Sequence, residues 1–307
     1  MSAVASFLAS ICEAKRAEMA QVSAAERASV RQAALRLRAT RRPRVFRRAL
    51  SNPAQVNIIA EVKRSSPTAG AIRAGADPAE TASVYAANGA AAISVLTEPQ
   101  YFSGSLDDLR AVCARLASTR ANAACPVLRK DFIVDAHQVY EAAVAGAEAV
   151  LLIVAALSPA ELLSLRTLAE DELGLDALVE VHAEPEMRTA IECGASIVGV
   201  NNRNLATLQV SLDTSRALAR YAQPGRLLVS ESGLRTPEHL RELRALGYGA
   251  FLIGETLMRS TDPARELASF MSIPAGAAAA LTVAPDSTSA EANPASAGLH
   301  GGRPWSK

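Results

Sequence analysis

The sequence predicts an α/β fold: eight β/α units closed into a (β/α)8 barrel of the TIM type, with an N-terminal helical extension and a disordered C-terminal tail. Three observations predict it. Apolar runs of strand length recur eight times, near residues 56–62, 91–96, 125–130, 147–154, 176–181, 196–201, 226–231 and 249–254, each followed by a helix-like stretch. Strands alternating with helices in one sheet run parallel with right-handed crossovers, and several of these runs are apolar throughout, as strands covered on both faces are. No G-x-G-x-x-G follows the first strand, which with eight units favours closure over an open doubly wound sheet.

Residues 1–50, rich in Ala, Arg and Glu, read as a helical lead-in; residues 51–272 carry the eight units. Helix starts within them are legible. Asp77-Pro78-Ala79-Glu80 and Ser158-Pro159-Ala160-Glu161 read as capping boxes with proline at the first helical position, and Asp135 with Gln138, Thr236-Pro237 and Asp262-Pro263 give three more. Helix stops are marked by Gly89, Gly146, Gly194 and Gly247, with Gly174 a looser copy, each just ahead of an apolar run. Glycine suits the left-handed position past a helix end because it has no Cβ to clash. Residues 273–307 are Ala, Pro, Ser and Gly with almost no large apolar side chains, which predicts a disordered tail holding the lone tryptophan, Trp305.

A chain of 307 residues with half of them apolar can fill one large core. Its formal charge of +1, from 32 basic and 31 acidic residues, argues against a protein that coats nucleic acid or hugs a membrane. Cys12, Cys113, Cys125 and Cys193 have neither metal-type nor disulfide-type spacing and read as reduced thiols of a cytoplasmic protein. No apolar run approaches the ~20 residues that span a bilayer. The opening MSAVASFLASIC lacks the basic start of a secretion signal.

Most of the runs end on residues that chemistry needs: Glu61 and Lys63, Lys130, Glu180, Asn201 and Arg203, Glu231 with Ser232 and Gly233, and Gly254 with Glu255. A single charged strand end is ordinary surface. A set of six around one barrel mouth is where such a fold builds an active site. Residues two apart on a strand share a face, so Glu61 pairs with Lys63, Lys130 with Phe132, Asn201 with Arg203 and Glu180 with His182. Such crowding predicts pKa values moved towards neutrality and a lysine able to donate a proton near pH 7. Ser232-Gly233 and Gly254-Glu255, after strands seven and eight, suit a phosphate held by backbone N–H groups. The bland alternative for them is turn glycines. No Ser or Cys nucleophile with an adjacent His is evident, and no His-Cys cluster suggests zinc.

The segments IAEVKRSSPTAG, TEPQYFSGS, PVLRKDFIVD, LVEVH, VGVNNRNL, SESGL and FLIGETLM resemble, in order and spacing, those of the indole-3-glycerol-phosphate synthase family, over about residues 1–272. The resemblance implies an eight-fold barrel of tryptophan biosynthesis, working without metal or organic cofactor on a small anionic substrate, as a monomer or weak oligomer. It implies closure of a ring on 1-(2-carboxyphenylamino)-1-deoxyribulose 5-phosphate with loss of carbon dioxide and water. By position, Lys130 is similar to the general acid of ring closure, and Glu180 to the carboxylate of the later dehydration. Glu61 and Lys63 match the strand-one pair that holds and protonates substrate. Ser66, Phe132, Asn201, Arg203 and Glu231 match substrate-lining positions, Ser232, Gly233, Gly254 and Glu255 the phosphate end, and Phe102 the aromatic packed on the anthranilate ring. Ser103 departs from the Asn or Gln frequent there, and the tail has no counterpart.

Two rivals remain open at this point. Lys130 could form a Schiff base in a barrel aldolase. The stretch from Arg27 to Arg48, with Arg31, Arg36, Arg38, Arg41, Arg42, Arg44 and Arg47, could bind nucleic acid. Apart from Phe46 it lacks interleaved aromatics for stacking and reads more simply as a solvated amphipathic helix. His182 reads as a structural histidine, since the acid–base set is complete without it.

Overall fold

The computed structural model describes residues 5–40, 43–118, 125–205 and 207–273. The expected tail with Trp305, and Arg41 and Arg42, lie outside the described residues. Eight parallel strands close into a barrel: β1 (Asn57–Val62), β2 (Ala92–Leu96), β3 (Val127–Lys130), β4 (Ala149–Ile153), β5 (Asp176–Val181), β6 (Ile197–Asn201), β7 (Leu227–Glu231) and β8 (Ala250–Ile253). The ring is shut by β1, which pairs with β2 on one side (Ile59 opposite Ala92) and β8 on the other (Asn57 opposite Ala250). All eight lie within the predicted runs.

Strand alternation sorts the side chains. Ile58, Ala60, Ile93, Val95, Val150, Leu152, Val179 and Val198 point outward into a core shared with the helices. Ile59, Leu128, Leu151, Leu178, Ile197, Val229 and Leu252 fill the lumen. Continued towards the carboxyl ends, that inward parity delivers Glu61, Lys130, Glu180, Asn201, Glu231 and Gly254 to the mouth.

Three helices precede the barrel: α1 (Ala5–Gln21), α2 (Ala24–Arg38) and α3 (Val45–Ala49). The last plugs the floor, burying Phe46 and Leu50 in the lumen cluster. The rest of the helical layer comprises α4 (Pro78–Ala87), α5 (Pro99–Phe102), α6 (Leu106–Ser118), α7 (Ala136–Ala145), α8 (Pro159–Thr167), α9 (Glu184–Glu192), α10 (Asp213–Leu218), α11 (Pro237–Ala245), α12 (Glu255–Arg259) and α13 (Pro263–Met271). Both Ser158–Glu161 and Asp135–Gln138 close reciprocal capping boxes. The starts at Asp77 and Thr236 also hold, with simpler caps: Asp77 caps α4 without a reciprocal bond from Glu80, which turns to Arg115 (3.4 Å), and the Thr236 hydroxyl serves Glu238. The five stop glycines all have positive φ, from 62° to 100°.

The arginine-rich stretch faces the barrel. Arg27 pairs with Asp135 (2.8 Å), Arg31 with the Tyr140 hydroxyl (3.2 Å) and Arg38 with Glu148 (2.8 Å). Arg44 meets Glu170 (2.9 Å), and Arg47 donates to the Gly225 carbonyl (2.8 Å). Among the described residues, no helix is long and apolar enough to cross a membrane.

Candidate active site

A cavity of about 710 Å³ opens at the carboxyl ends of the strands. All fourteen predicted site residues line it: Glu61, Lys63, Ser66, Phe102, Lys130, Phe132, Glu180, Asn201, Arg203, Glu231, Ser232, Gly233, Gly254 and Glu255.

At its centre, Lys130 Nζ lies 3.1 Å from Glu180 Oε2 and 3.4 Å from Glu231 Oε2. Lys63 Nζ lies 3.1 Å from Glu61 Oε1, as two residues on one strand face should. Burial works against the Lys130 ammonium, but the carboxylates of Glu180, Glu231 and Glu61 outweigh it and raise the pKa above the usual lysine value. This corrects the expectation of a lysine moved towards neutrality: three acids surround one ammonium, and a buried cation in that company holds its proton. The group that does move towards neutrality is Glu231. Burial first, then the charges of Glu180 and Glu61, push it up to about 8 against the opposing pull of Lys130. Both Glu231 oxygens are buried without a hydrogen bond, the 3.4 Å approach of Lys130 being an ion contact only. Glu180 moves the other way: burial raises its pKa, but Lys130, His182 and Asn201 together hold it well below the ordinary carboxylate range. The surroundings thus push the three groups apart: Lys130 towards its ammonium, Glu180 towards its carboxylate and Glu231 towards its protonated form.

Two glycines make room for these acids. A Cβ on Gly199 would sit 2.0 Å from Glu231 Oε1, and one on Gly254 2.3 Å from Glu61 Oε1. Gly199 was not among the predicted residues. Its sequence signal is an isolated glycine inside an apolar strand, which marks close approach. Gly254 was assigned to the phosphate end, and the structure adds this second duty.

At the rim, Ser232 and Gly233 take successive left-handed conformations (φ 67° and 77°), and a Cβ on Gly233 would meet Val210 Cγ1 at 2.5 Å. Asn202 braces the turn, donating from Nδ2 to Ser230 Oγ, Glu231 O and Ser232 O. Glu255 opens α12 and is bound by Arg259 (2.9 Å). Arg203 donates to Leu208 O (3.1 Å) and Thr68 Oγ1 (3.3 Å), joining two rim loops. Ser66 Oγ accepts the Ala69 N–H (3.1 Å). Phe102 and Phe132 lie 6.3 Å apart at 40°, an apolar wall opposite the charges. Ser103 does not line the cavity; it joins loops through Ser65 (2.9 Å) and the Arg64 guanidinium (2.9 Å).

Sequence reading also missed contributors from α1. Phe7 and Leu8 line the cavity, Phe7 edge-on to Tyr101 (4.8 Å). Lys15 reaches Asp131, beside Lys130, at 3.7 Å; Asp131 also accepts from Thr97 (2.6 Å) and Arg129 (3.0 Å). Nothing local in the sequence places an N-terminal helix over the mouth. Among the described residues no group of three His, Cys, Asp or Glu side chains is arranged to hold a metal ion.

Paired ammonium and carboxylate groups at the mouth of a parallel barrel define a barrel enzyme of the acid–base type. A model of the indole-3-glycerol phosphate synthase family matches residues 8–270. Indole-3-glycerol phosphate synthase of Bordetella pertussis is 48% identical over 216 residues, covering 70% of this chain and 79% of that protein. The Carboxydothermus hydrogenoformans protein of the same name is 47% identical over 214 residues, 69% of this chain and 78% of its own. The chain belongs to the indole-3-glycerol phosphate synthase family. Solved structures agree on the fold alone. Thiamine phosphate pyrophosphorylase of Pyrococcus furiosus superposes with a TM-score of 0.53 at 15% identity, over 72% of this chain and 95% of that one. The Vibrio cholerae 3-keto-L-gulonate-6-phosphate decarboxylase gives 0.52 at 16%, over 70% and 95%.

Proposed function

We propose that the chain is an indole-3-glycerol-phosphate synthase, a carbon–carbon carboxy-lyase of tryptophan biosynthesis that works on 1-(2-carboxyphenylamino)-1-deoxyribulose 5-phosphate. The observation that carries this is the single ammonium of Lys130 held between Glu180 and Glu231 beneath a cavity with cations and small residues at its rim. The anthranilate ring stacks by Phe102 and Phe132, and its carboxylate meets Lys63 and Arg203. The phosphate takes the Ser232-Gly233 and Gly254-Glu255 end.

Ring closure needs a proton on the ribulose carbonyl oxygen as the aromatic carbon attacks. That oxygen becomes an alkoxide, a base strong enough to take a proton from Lys130 even with its pKa raised. Carbon dioxide then leaves, and Glu180 handles the proton traffic of dehydration, with Lys63 and Glu61 orienting the sugar. The alternative Schiff-base chemistry would require Lys130 as a neutral amine, and its three carboxylate neighbours argue against that. A cytoplasmic setting goes with this reading.

An indole-fluorescence assay with the carboxyphenylamino ribulose phosphate tests it, run after exhaustive EDTA treatment. Formation of indole-3-glycerol phosphate is the expected result. No product, or product only with an added divalent ion, would refute the reading; trapping of a keto substrate by borohydride would put the aldolase in its place.

A further inference from the structure

Strand β5 carries, beyond Glu180, a second titratable pair that the proposed chemistry leaves unused. His182 Nε2 lies 3.2 Å from Glu180 Oε1, in ion-pair range though off the line of a hydrogen bond. Its Nδ1 lies 3.1 Å from Glu186 Oε2, on the first turn of α9, and the same oxygen accepts the His182 backbone N–H at 2.8 Å. Neither His182 nor Glu186 lines the cavity. The Glu180 side chain is 4% exposed, His182 8% and Glu186 24%. A file of three proton-bearing groups thus runs from the buried centre, through the barrel wall, to solvent outside the mouth.

The reaction gives such a file a purpose. Two protons are needed, one to turn the ribulose carbonyl oxygen into a hydroxyl and one to let that hydroxyl leave as water. One proton is released when the sugar-derived CH₂ carbon loses hydrogen as the indole forms. The ionised carboxylate departs as neutral carbon dioxide and leaves its electron pair in the ring. Each turnover therefore takes up one proton from solution. Lys130, Glu180, Glu231 and Glu61 are 13%, 4%, 1% and 5% exposed, and all four line the cavity that a bound substrate would fill.

We propose that His182 is a positioning residue that, with Glu186, forms the route by which this proton reaches Glu180. The inference rests on the proposed synthase reading. His182 holds one Glu180 oxygen while Lys130 holds the other, fixing the carboxylate between them. A proton from water reaches Glu186; the His182 imidazolium releases its Nε2 proton to Glu180, and the neutral ring then turns its bare nitrogen to Glu186 and takes that proton up. The groups facing His182 are Glu180 on β5 and Glu186 on α9, with Lys130 behind Glu180; the turn Val154–Ala156 packed there carries no titratable side chain. Burial lowers the imidazole pKa, but the two glutamates outweigh it and raise it to about 9, so the relay is charged at neutral pH.

The experiment compares the full-length parent with His182→Gln and Glu186→Gln for indole-forming turnover between about pH 6 and 10 in buffers with and without imidazole. For His182→Gln, kcat should fall roughly tenfold or more, short of the ~10²–10⁴ for losing a direct acid–base group, with KM within about twofold. Rising imidazole should restore it, and the parent's loss of activity above about pH 9 should vanish. Glu186→Gln should show a smaller drop in kcat in the same direction, and it decides the matter should His182→Gln not fold. Unchanged kcat and pH profile in both variants would overturn the relay, as would a loss that imidazole does not restore and a lowered Tm accompanies. An inactive parent would instead sink the synthase reading, which separates the two failures.

Discussion

The barrel buries charge at both ends, and the two ends use it differently. At the floor the cations come from the N-terminal helices and the acids from the barrel. Arg38 donates to Leu173 O (2.7 Å), Gly174 O (2.9 Å) and Glu148 (2.8 Å). Arg44 meets Glu170 (2.9 Å) and Asp176 (3.6 Å), and Asp176 accepts the Arg47 N–H (2.8 Å). Phe46 and Leu50, both fully buried, fill the space there. At the mouth Glu61, Glu180 and Glu231 share the ammonium groups of Lys130 and Lys63 around open volume. Pairing at the floor fastens one segment to another. Crowding at the mouth pushes Glu231 up and holds Glu180 down, the kind of separation that acid–base chemistry uses.

The largest expected effect tests the mouth. Lys130→Met keeps most of the side chain's bulk and removes its proton. Turnover should fall by ~10²–10⁴, about 3–5 kcal/mol of barrier, while product affinity, set by the rim, falls far less. A loss within tenfold would pass the acid role to Lys63. The matching test at the floor is Arg38→Ala, which takes the buried guanidinium away from Glu148 and from the carbonyls of Leu173 and Gly174. Unfolding free energy should drop by about 3–5 kcal/mol, read from denaturant melts, with kcat of the folded enzyme unchanged. A fall in kcat without loss of stability would erase the distinction between the ends.

These contrasts were unequally legible in the sequence. Short, nearly continuous apolar runs and stop glycines specify strands and helix ends locally, so the barrel could be read directly. Inward parity then carried Glu61, Lys130, Glu180 and Glu231 to one place. Their number was readable, but their balance was not: whether a lysine's pKa falls or rises depends on how many acids share it, a tertiary fact. The same limit hid Lys15 and Phe7, which meet the mouth only because α1 packs across it, and the pairing of Arg27 with Asp135 and Arg38 with Glu148 on an otherwise solvated helix. His182 was read as structural because the acid–base set is complete without it; its partner Glu186 lies on the next helix, outside the strand's own pattern.

Glu231→Gln sharpens the comparison at smaller amplitude. Because burial raises the Glu231 pKa to about 8, the folded protein binds a proton that the unfolded chain releases above about 4.5. Stability from this group is present below pH 4.5 and is lost as pH rises through about 8. The variant's Tm should gain on the parent's progressively across that window, while turnover falls. A constant Tm difference from pH 5 to 8 would mean that Glu231 is ionised throughout.

The smallest effect is expected at Asp176, where the floor imitates the mouth. Burial is the leading cause that pushes this carboxyl up to about 6, against the Arg47 N–H and Arg44 and with help from Glu170. The sign is the same as for Glu231, but the window is lower: stability is lost as pH rises from about 4 through about 6 and is level above. Asp176→Asn keeps an oxygen for the Arg47 N–H and removes the titration. Its unfolding free energy should rise relative to the parent's over pH 4–6, by the order of 1 kcal/mol, since one unit of pKa is worth ~1.4 kcal/mol and part of the gain is returned when Arg44 loses an anion. Turnover at pH 7 should not change, because the lumen layers from Ile59 to Leu252 separate this carboxylate from Lys130. A change in kcat would mean that α3 and the floor charges reach the mouth through those layers, and the two ends would have to be treated as one electrostatic unit.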